Sequence, residues 1–385
     1  MPSSETFVLL IPGVNALHSS GEGVMVCGER LAKYIMGRVN ATLAPLEALK
    51  RGSEKSSTKK NIDETSSFED RSTETVPTTH LHFSFVGHSM GGLIIRAALP
   101  LLISALREKY NCRFPSQAPE GDQPGEGEDS HEGGVEVHWE TFCSIATPHA
   151  GVGEMPSSFK TWAMGLLTSV SASLRDMSLT SNILTDILLQ DSYLDAWRAF
   201  KRRLLVAALN DQTVMAYSSI FCILSHDQVL LRARCRAGVK QGSSPPPPTP
   251  EEAANSPVLE TVPLVSEREE LPPVAIAASR LDKLSPERWP EDILPRERVI
   301  AERIIERAGP FEVCLVDFQT RLVKRFNGGH FWARLGARRF GHRAVICKSP
   351  WNNPKVFGFL SEYVVDVLVQ AVDQTCPSVE LAMAG

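Results

Sequence analysis

The run Phe83-Ser84-Phe85-Val86-Gly87-His88-Ser89-Met90-Gly91-Gly92-Leu93-Ile94-Ile95-Arg96 constrains this chain more than any other. It opens as a short apolar segment of β character and closes as an amphipathic helix, with Gly87-His88-Ser89-Met90-Gly91 spelling G-x-S-x-G between them. A serine on so sharp a strand-to-helix turn has its hydroxyl lifted clear of the sheet. Gly87 and Gly91 are expected to let strand and helix approach closely. The turn also sets Ser89 at a helix N-terminus, where unpaired N–H groups and the helix dipole favour negative charge. A five-residue match can arise by chance, so the flanking strand and helix are what give this one weight.

Outside that run, three stretches are too polar to pack. Lys50–Thr79 is rich in Ser, Thr, Lys, Glu and Asp, Pro115–Gly134 is acidic and glycine-rich, and Cys235–Pro295 carries Pro245-Pro246-Pro247-Pro248. Such compositions bury too little apolar surface to offset chain entropy. Residues 50–79, 115–134 and 235–295 are therefore expected to be disordered insertions in one domain spanning 1–385. The net charge of −5 argues against a general nucleic-acid binder. The eight cysteines show neither CxxC nor metal-ligand spacing. No cofactor and no metal is expected. The cysteines fit a reducing compartment, and no 18-residue uncharged apolar run is found, so no spanning helix is expected. The N-terminus lacks the basic segment of a signal peptide, so a cytoplasmic location is expected, with peripheral membrane contact left open.

Along the chain, Thr6–Ile11 reads as a buried strand stopped by Pro12-Gly13, and Asn15–Val24 as a turn. Leu31, Tyr34 and Ile35 share a helix face. Leu81–Val86, Val137–Ala146, Leu204–Leu209 and Phe311–Phe318 read as strands. The elbow helix is expected to run to about Arg107, residues 155–200 to be mostly helical, and Val356–Val372 to form a last helix. Alternating strands and helices predict an α/β fold with a mostly parallel sheet covered on both faces. Reactive groups in such sheets sit at the carboxyl ends of the strands.

Ser89, Asp211 and His330 each follow an expected strand, in the order Ser, Asp, His that an α/β-hydrolase uses. A serine hydroxyl needs an adjacent base, and the base needs an orienting carboxylate. Ser89 is then the nucleophile, His330 the general base and Asp211 its partner. The backbone N–H of Met90 is one oxyanion donor. Asp211 could instead only cap the turn Gln212–Val214, and His226 and His342 compete with His330. His88 reads as an elbow spacer, His149 as structural or a pocket wall. The apolar clusters Trp162–Leu167 and Ile183–Leu189 are helix core faces or a lid for an acyl chain.

With these residues in view, the chain resembles the eukaryotic serine esterase family, lipase-like α/β-hydrolases with a Gly-His-Ser-Leu-Gly-Gly-Leu-Ile-x-Arg elbow. Gly87–Arg96, Gly28–Ala32 (Gly-Glu-Arg-Leu-Ala) and Ala146–Gly151 (Ala-Thr-Pro-His-Ala-Gly) match its segments, and Leu209–Val214 and Gly329–Phe331 match more loosely. The resemblance implies hydrolysis of a carboxylic ester, with a lipid as substrate. It also implies an upstream strand ending in His-Gly that gives the second oxyanion donor. That strand is expected to be absent here, because Asn15–Val24 and Gly28–Ala32 align with the family's segments downstream of it. Two alternatives stay open: an impaired hydrolase that serves as an interaction module, and the same serine chemistry applied to thioesters or acyl transfer.

Overall fold

The computed structural model describes residues 8, 10, 12–15, 17–59, 79–112, 135–152, 171–208, 211, 214–221, 275–281 and 295–316. Of the expected buried strand Thr6–Ile11 only Val8 and Leu10 are described, neither lies in a strand, and Val8 is exposed; the cluster Trp162–Leu167, His226, His330, His342 and the helix Val356–Val372 lie outside the described residues.

A 3-10 turn over Leu17–Glu22 leads into α1, Val24–Lys59. Strand β1, Thr79–His88, runs into α2, Met90–Tyr110, and β2 comes next over Val135–Ile145. The short α3, Ala172–Met177, and α4, Asp191–Arg198, precede β3, Arg202–Ala208. After α5, Ala216–Ile220, come β4, Ala275–Leu281, α6, Pro295–Ala308, and β5, Phe311–Val316. The sheet order is β1-β2-β3-β5-β4, with β1, β2, β3 and β5 parallel and β4 antiparallel to β5. The α/β class and the mostly parallel sheet are as the sequence implies.

Alternation along the strands decides what each face buries. Leu81, Phe83 and Phe85 of β1 pack on the core with Val137 and Trp139 of β2 and with residues of α1, α2, α4 and α6. Between Phe83 and Phe85 the register slips, so that Trp139 pairs with Phe83 and Phe142 with Phe85. The extra β2 residue is a bulge that turns both aromatic rings inward. On the opposite face Cys143, Leu204, Val206 and Cys314 are buried, whereas Val86 of β1 is 46% exposed. Among the described residues no strand pairs with the outer side of β1.

Several expectations need correction. Helix α1 continues to Lys59, well inside the stretch 50–79 read as an insertion. Strand β4 and the first residue of α6 lie inside 235–295, also read as an insertion. In α6, Ile300, Ala301, Ile304, Ile305 and Ala308 form a buried stripe, a 3.6-residue period within an otherwise charged segment. The cluster Ile183–Leu189 is no α-helix: only Ile187–Leu189 forms a 3-10 turn, and Leu184 before it and Leu188 within it are buried. Helix α2 alone among the described helices is long and apolar enough to cross a membrane, but it lies in the core, with Leu93, Ala97, Leu99, Leu102 and Leu106 buried. Cys27, Cys112, Cys143 and Cys314 are buried thiols rather than disulfides, so they act as small hydrophobes.

Candidate active site

Ser89 sits between the end of β1 and the start of α2 with φ 55° and ψ −130°. A non-glycine residue pays for that conformation, and such strain persists only where the surroundings enforce it. Two backbone bonds do so. Ser89 N–H donates to the Ile145 carbonyl at 2.8 Å, and Ala146 N–H, itself at φ 47°, donates to the Val206 carbonyl at 2.7 Å. The ends of β1, β2 and β3 are thereby stitched together at the sheet edge that carries the serine. Met90 opens α2, so its N–H belongs to the first turn, where helical geometry offers no intrahelical acceptor.

The tight approach uses a different glycine pair from the one expected. A Cβ on Gly87 would lie 2.6 Å from Gly92 N and 2.7 Å from Gly92 Cα. A Cβ on Gly92 would lie 2.7 Å from Thr147 Cγ2. Gly91, by contrast, faces open space. Gly87 and Gly92 are the close-approach glycines, and Gly91 is not.

Beneath the elbow lies a polar network of which the sequence singles out only His149, as structural or a pocket wall. Arg96, Ser144 and His149 are buried, and Arg96 Nη2 donates to the Leu188 carbonyl at 2.8 Å. Arg96 Nη1 lies 3.4 Å from His149 Nδ1, and His149 Nε2 lies 2.8 Å from Ser144 Oγ. A guanidinium can only donate, so Nδ1 accepts and the proton sits on Nε2, which donates to Ser144. The Arg96 guanidinium lies 4.5 Å from the centre of the Trp197 ring, on which His149 also packs at 4.8 Å. Burial lowers the Arg96 pKa to about 9, and burial together with Arg96 holds His149 well below the ordinary imidazole value. Neutral and enclosed, His149 pins the Thr147–Gly151 turn under α2. It is a structural histidine.

Asp211 follows β3 and is buried, its Oδ1 accepting the Val214 N–H at 3.0 Å. The turn-capping role thus exists. Ser89, Thr147 and Asp211 follow β1, β2 and β3, neighbouring parallel strands, and so share the carboxyl edge of the sheet. His330, fourteen residues after β5, lies outside the described residues.

A family model described as "Putative serine esterase (DUF676)" matches residues 58–226. No curated protein matches the chain, and no solved structure does. The matched segment holds Ser89, the Arg96–His149 network and Asp211. Over residues 58–226, then, this chain is similar to a family of serine esterases, which are hydrolases.

Proposed function

We propose that the protein hydrolyses a carboxylic ester, with the acyl group of a lipid as its substrate, through Ser89, His330 and Asp211. The observation that carries the reading is the strained Ser89 backbone between β1 and α2, held by the bond from its N–H to Ile145. Ser89 Oγ attacks the acyl carbonyl while His330 takes the hydroxyl proton. The tetrahedral oxyanion receives the Met90 N–H, and its collapse breaks the C–O bond as His330 protonates the leaving alcohol. Water then attacks the acyl-enzyme, with His330 again as base, releasing the acid and restoring Ser89. Asp211 keeps the imidazole in the needed tautomer and stabilises its cation. The protein works in the cytoplasm in this reading, touching membranes only peripherally.

Labelling of the full chain with a fluorophosphonate tests this directly. The expected result is one adduct on Ser89, with turnover of para-nitrophenyl esters that Ser89→Ala and His330→Ala both remove. A chain that stays unlabelled while a known esterase reacts alongside it would overturn the reading. Comparing acyl-chain lengths, and oxygen esters with thioesters, then defines the substrate.

The 46% exposure of Val86, on the very strand that carries the nucleophile, favours a second reading, an impaired hydrolase used as an interaction module. Ester turnover that depends on Ser89 would rule out the second reading.

A further inference from the structure

At the other end of β1 the sheet carries a group of side chains that the hydrolytic reading does not use. In the β1–β2 ladder His80 pairs with Glu136 and His82 with His138. The alternation of Thr79-His80-Leu81-His82 and of Val135-Glu136-Val137-His138-Trp139-Glu140 turns Leu81, Val137 and Trp139 to the core. All five polar residues, the three histidines and two glutamates, therefore emerge on one face, since successive side chains of a strand point to opposite sides.

We propose that His80, Glu136 and His138 form a Zn(II) site on this face. His80 Nδ1 lies 3.2 Å from His138 Nε2. Glu136 sets one oxygen 3.4 Å from His80 Nδ1 and the other 3.4 Å from His138 Nε2. Zn–N and Zn–O bonds of about 2.0–2.1 Å in a tetrahedron require neighbouring ligand atoms about 3.3–3.4 Å apart. Each imidazole pairs with its own carboxylate oxygen near that edge, and one ligand atom from each residue lies within 4.8 Å of the others, so a small side-chain adjustment brings all three groups onto one ion. Two imidazoles and one carboxylate are also a donor set that zinc takes with a fourth, solvent position open, and here the open position faces outward, because the His80 side chain is half exposed.

The neighbours support the ligands. The His82 ring stacks on His138 with centroids 4.5 Å apart and planes 11° apart, fixing the ring's tilt. His82 Nδ1 is in turn 2.8 Å from Glu140 Oε1, which also takes Lys201 Nζ at 2.8 Å. Such outer contacts orient metal ligands. Coordination asks only that each neutral imidazole carry its proton on the nitrogen turned away from the ion. His82, His138 and Glu140 are a second possible grouping, but Lys201 already pairs with Glu140, which leaves Glu136 the better carboxylate. A bound ion would tie β1 to β2 at His80, about 26 Å along the strand from His88 at the ~3.3 Å rise per residue. The site therefore acts on the stability of the elbow strand rather than on the chemistry at Ser89.

The test is titration of the chelator-stripped full chain with zinc chloride by calorimetry, repeated with cobalt(II) to read the visible bands of a tetrahedral site. One ion per chain is expected on these residues, with tetrahedral cobalt bands and a higher melting temperature in zinc. His80→Asn and His138→Asn should each weaken binding roughly 100-fold or more, and Glu136→Gln at least ~10-fold, since losing a ligand exceeds the 10–100-fold cost of losing a supporting group. Ser84→Ala, on the same strand, should bind as the parent does. Circular dichroism establishes that each variant is folded, and Glu136→Gln, a near-isostere, decides the matter if an imidazole variant does not fold. Zinc uptake unchanged in these variants, or no uptake by the parent, would overturn the proposal.

Discussion

Both ends of β1 pair with β2 through the backbone; the C-terminal end adds main-chain bonds beyond the ladder, and the N-terminal end adds side-chain contacts. At Ser89 the ties are the main-chain bonds to Ile145 and, one strand over, from Ala146 to Val206, with Gly87 and Gly92 in backbone contact. At His80 and His82 the ties are imidazoles, carboxylates and Lys201, partly exposed to water. Backbone ties in a buried edge cannot be exchanged for water without orphaning a donor, so they can sustain strain. Side-chain ties at a solvated face are individually weak. The same ten-residue strand thus combines a rigid end suited to positioning a nucleophile with an adaptable end suited to receiving an ion.

The largest effect should come from the rigid end. Ser89→Ala is expected to lower ester turnover by about 10⁴–10⁶-fold, the scale seen when a catalytic serine is removed, with little change in stability. Ser89→Gly should be equally inactive yet more stable by about 1–2 kcal/mol, because glycine relieves the strain at φ 55°. Urea denaturation of the two variants separates catalysis from strain. Equal stability would show that the elbow is not strained.

Next come the glycines. Gly87→Ala should cost about 3 kcal/mol, since its Cβ would press on the backbone of Gly92 and neither side can retreat. Gly91→Ala should be neutral or stabilise by up to ~1 kcal/mol, as the position is open and helical. A shift of the urea midpoint in opposite directions for the two variants is the expected result.

That contrast also shows what sequence can tell. The strand–serine–helix unit is legible because G-x-S-x-G demands one local geometry, and Ser89 needs no distant partner to be recognised. Which glycine pair is tight is not legible, because Thr147 and Gly92 meet only through tertiary packing. Strand β4 is alanine-rich with a single β-branched residue, and its place depends on pairing with β5. The buried stripe of α6 is present in the sequence, masked by its charges. Asp211 is legible as a residue after a strand, but its contact with Val214 belongs to the fold. The zinc-ligand geometry is hidden for the same reason as β4, since His80 and Glu136 are 56 residues apart in sequence and adjacent only in register.

A smaller effect separates the buried network under the elbow from the solvated histidines. His149 is held neutral when folded, its pKa lowered by burial first and by Arg96 second. The unfolded chain takes up a proton there as pH falls through the ordinary imidazole value of about 6.5. His149 therefore lowers stability as pH falls below that value, with the unfolded state binding the extra proton, by at most about 1.4 kcal/mol per pH unit. His149→Gln, which can still accept from Arg96 and donate to Ser144, should flatten the acid limb of stability between about pH 6.5 and 5. An unchanged slope would mean that His149 is not enclosed.

The smallest effect belongs to the adaptable end. Lys201 pairs with Glu140 while remaining about half exposed, and Glu140 keeps its contact with His82 when the lysine is gone. Lys201→Ala should therefore cost under ~1 kcal/mol, and less in high salt. It should leave Ser89 labelling untouched, because no backbone tie of the elbow passes through it. If it instead cost as much as Gly87→Ala, the N-terminal end of β1 would be as rigid as the C-terminal end. The contrast between an end reinforced by main-chain bonds and an end reinforced by side chains would then be wrong.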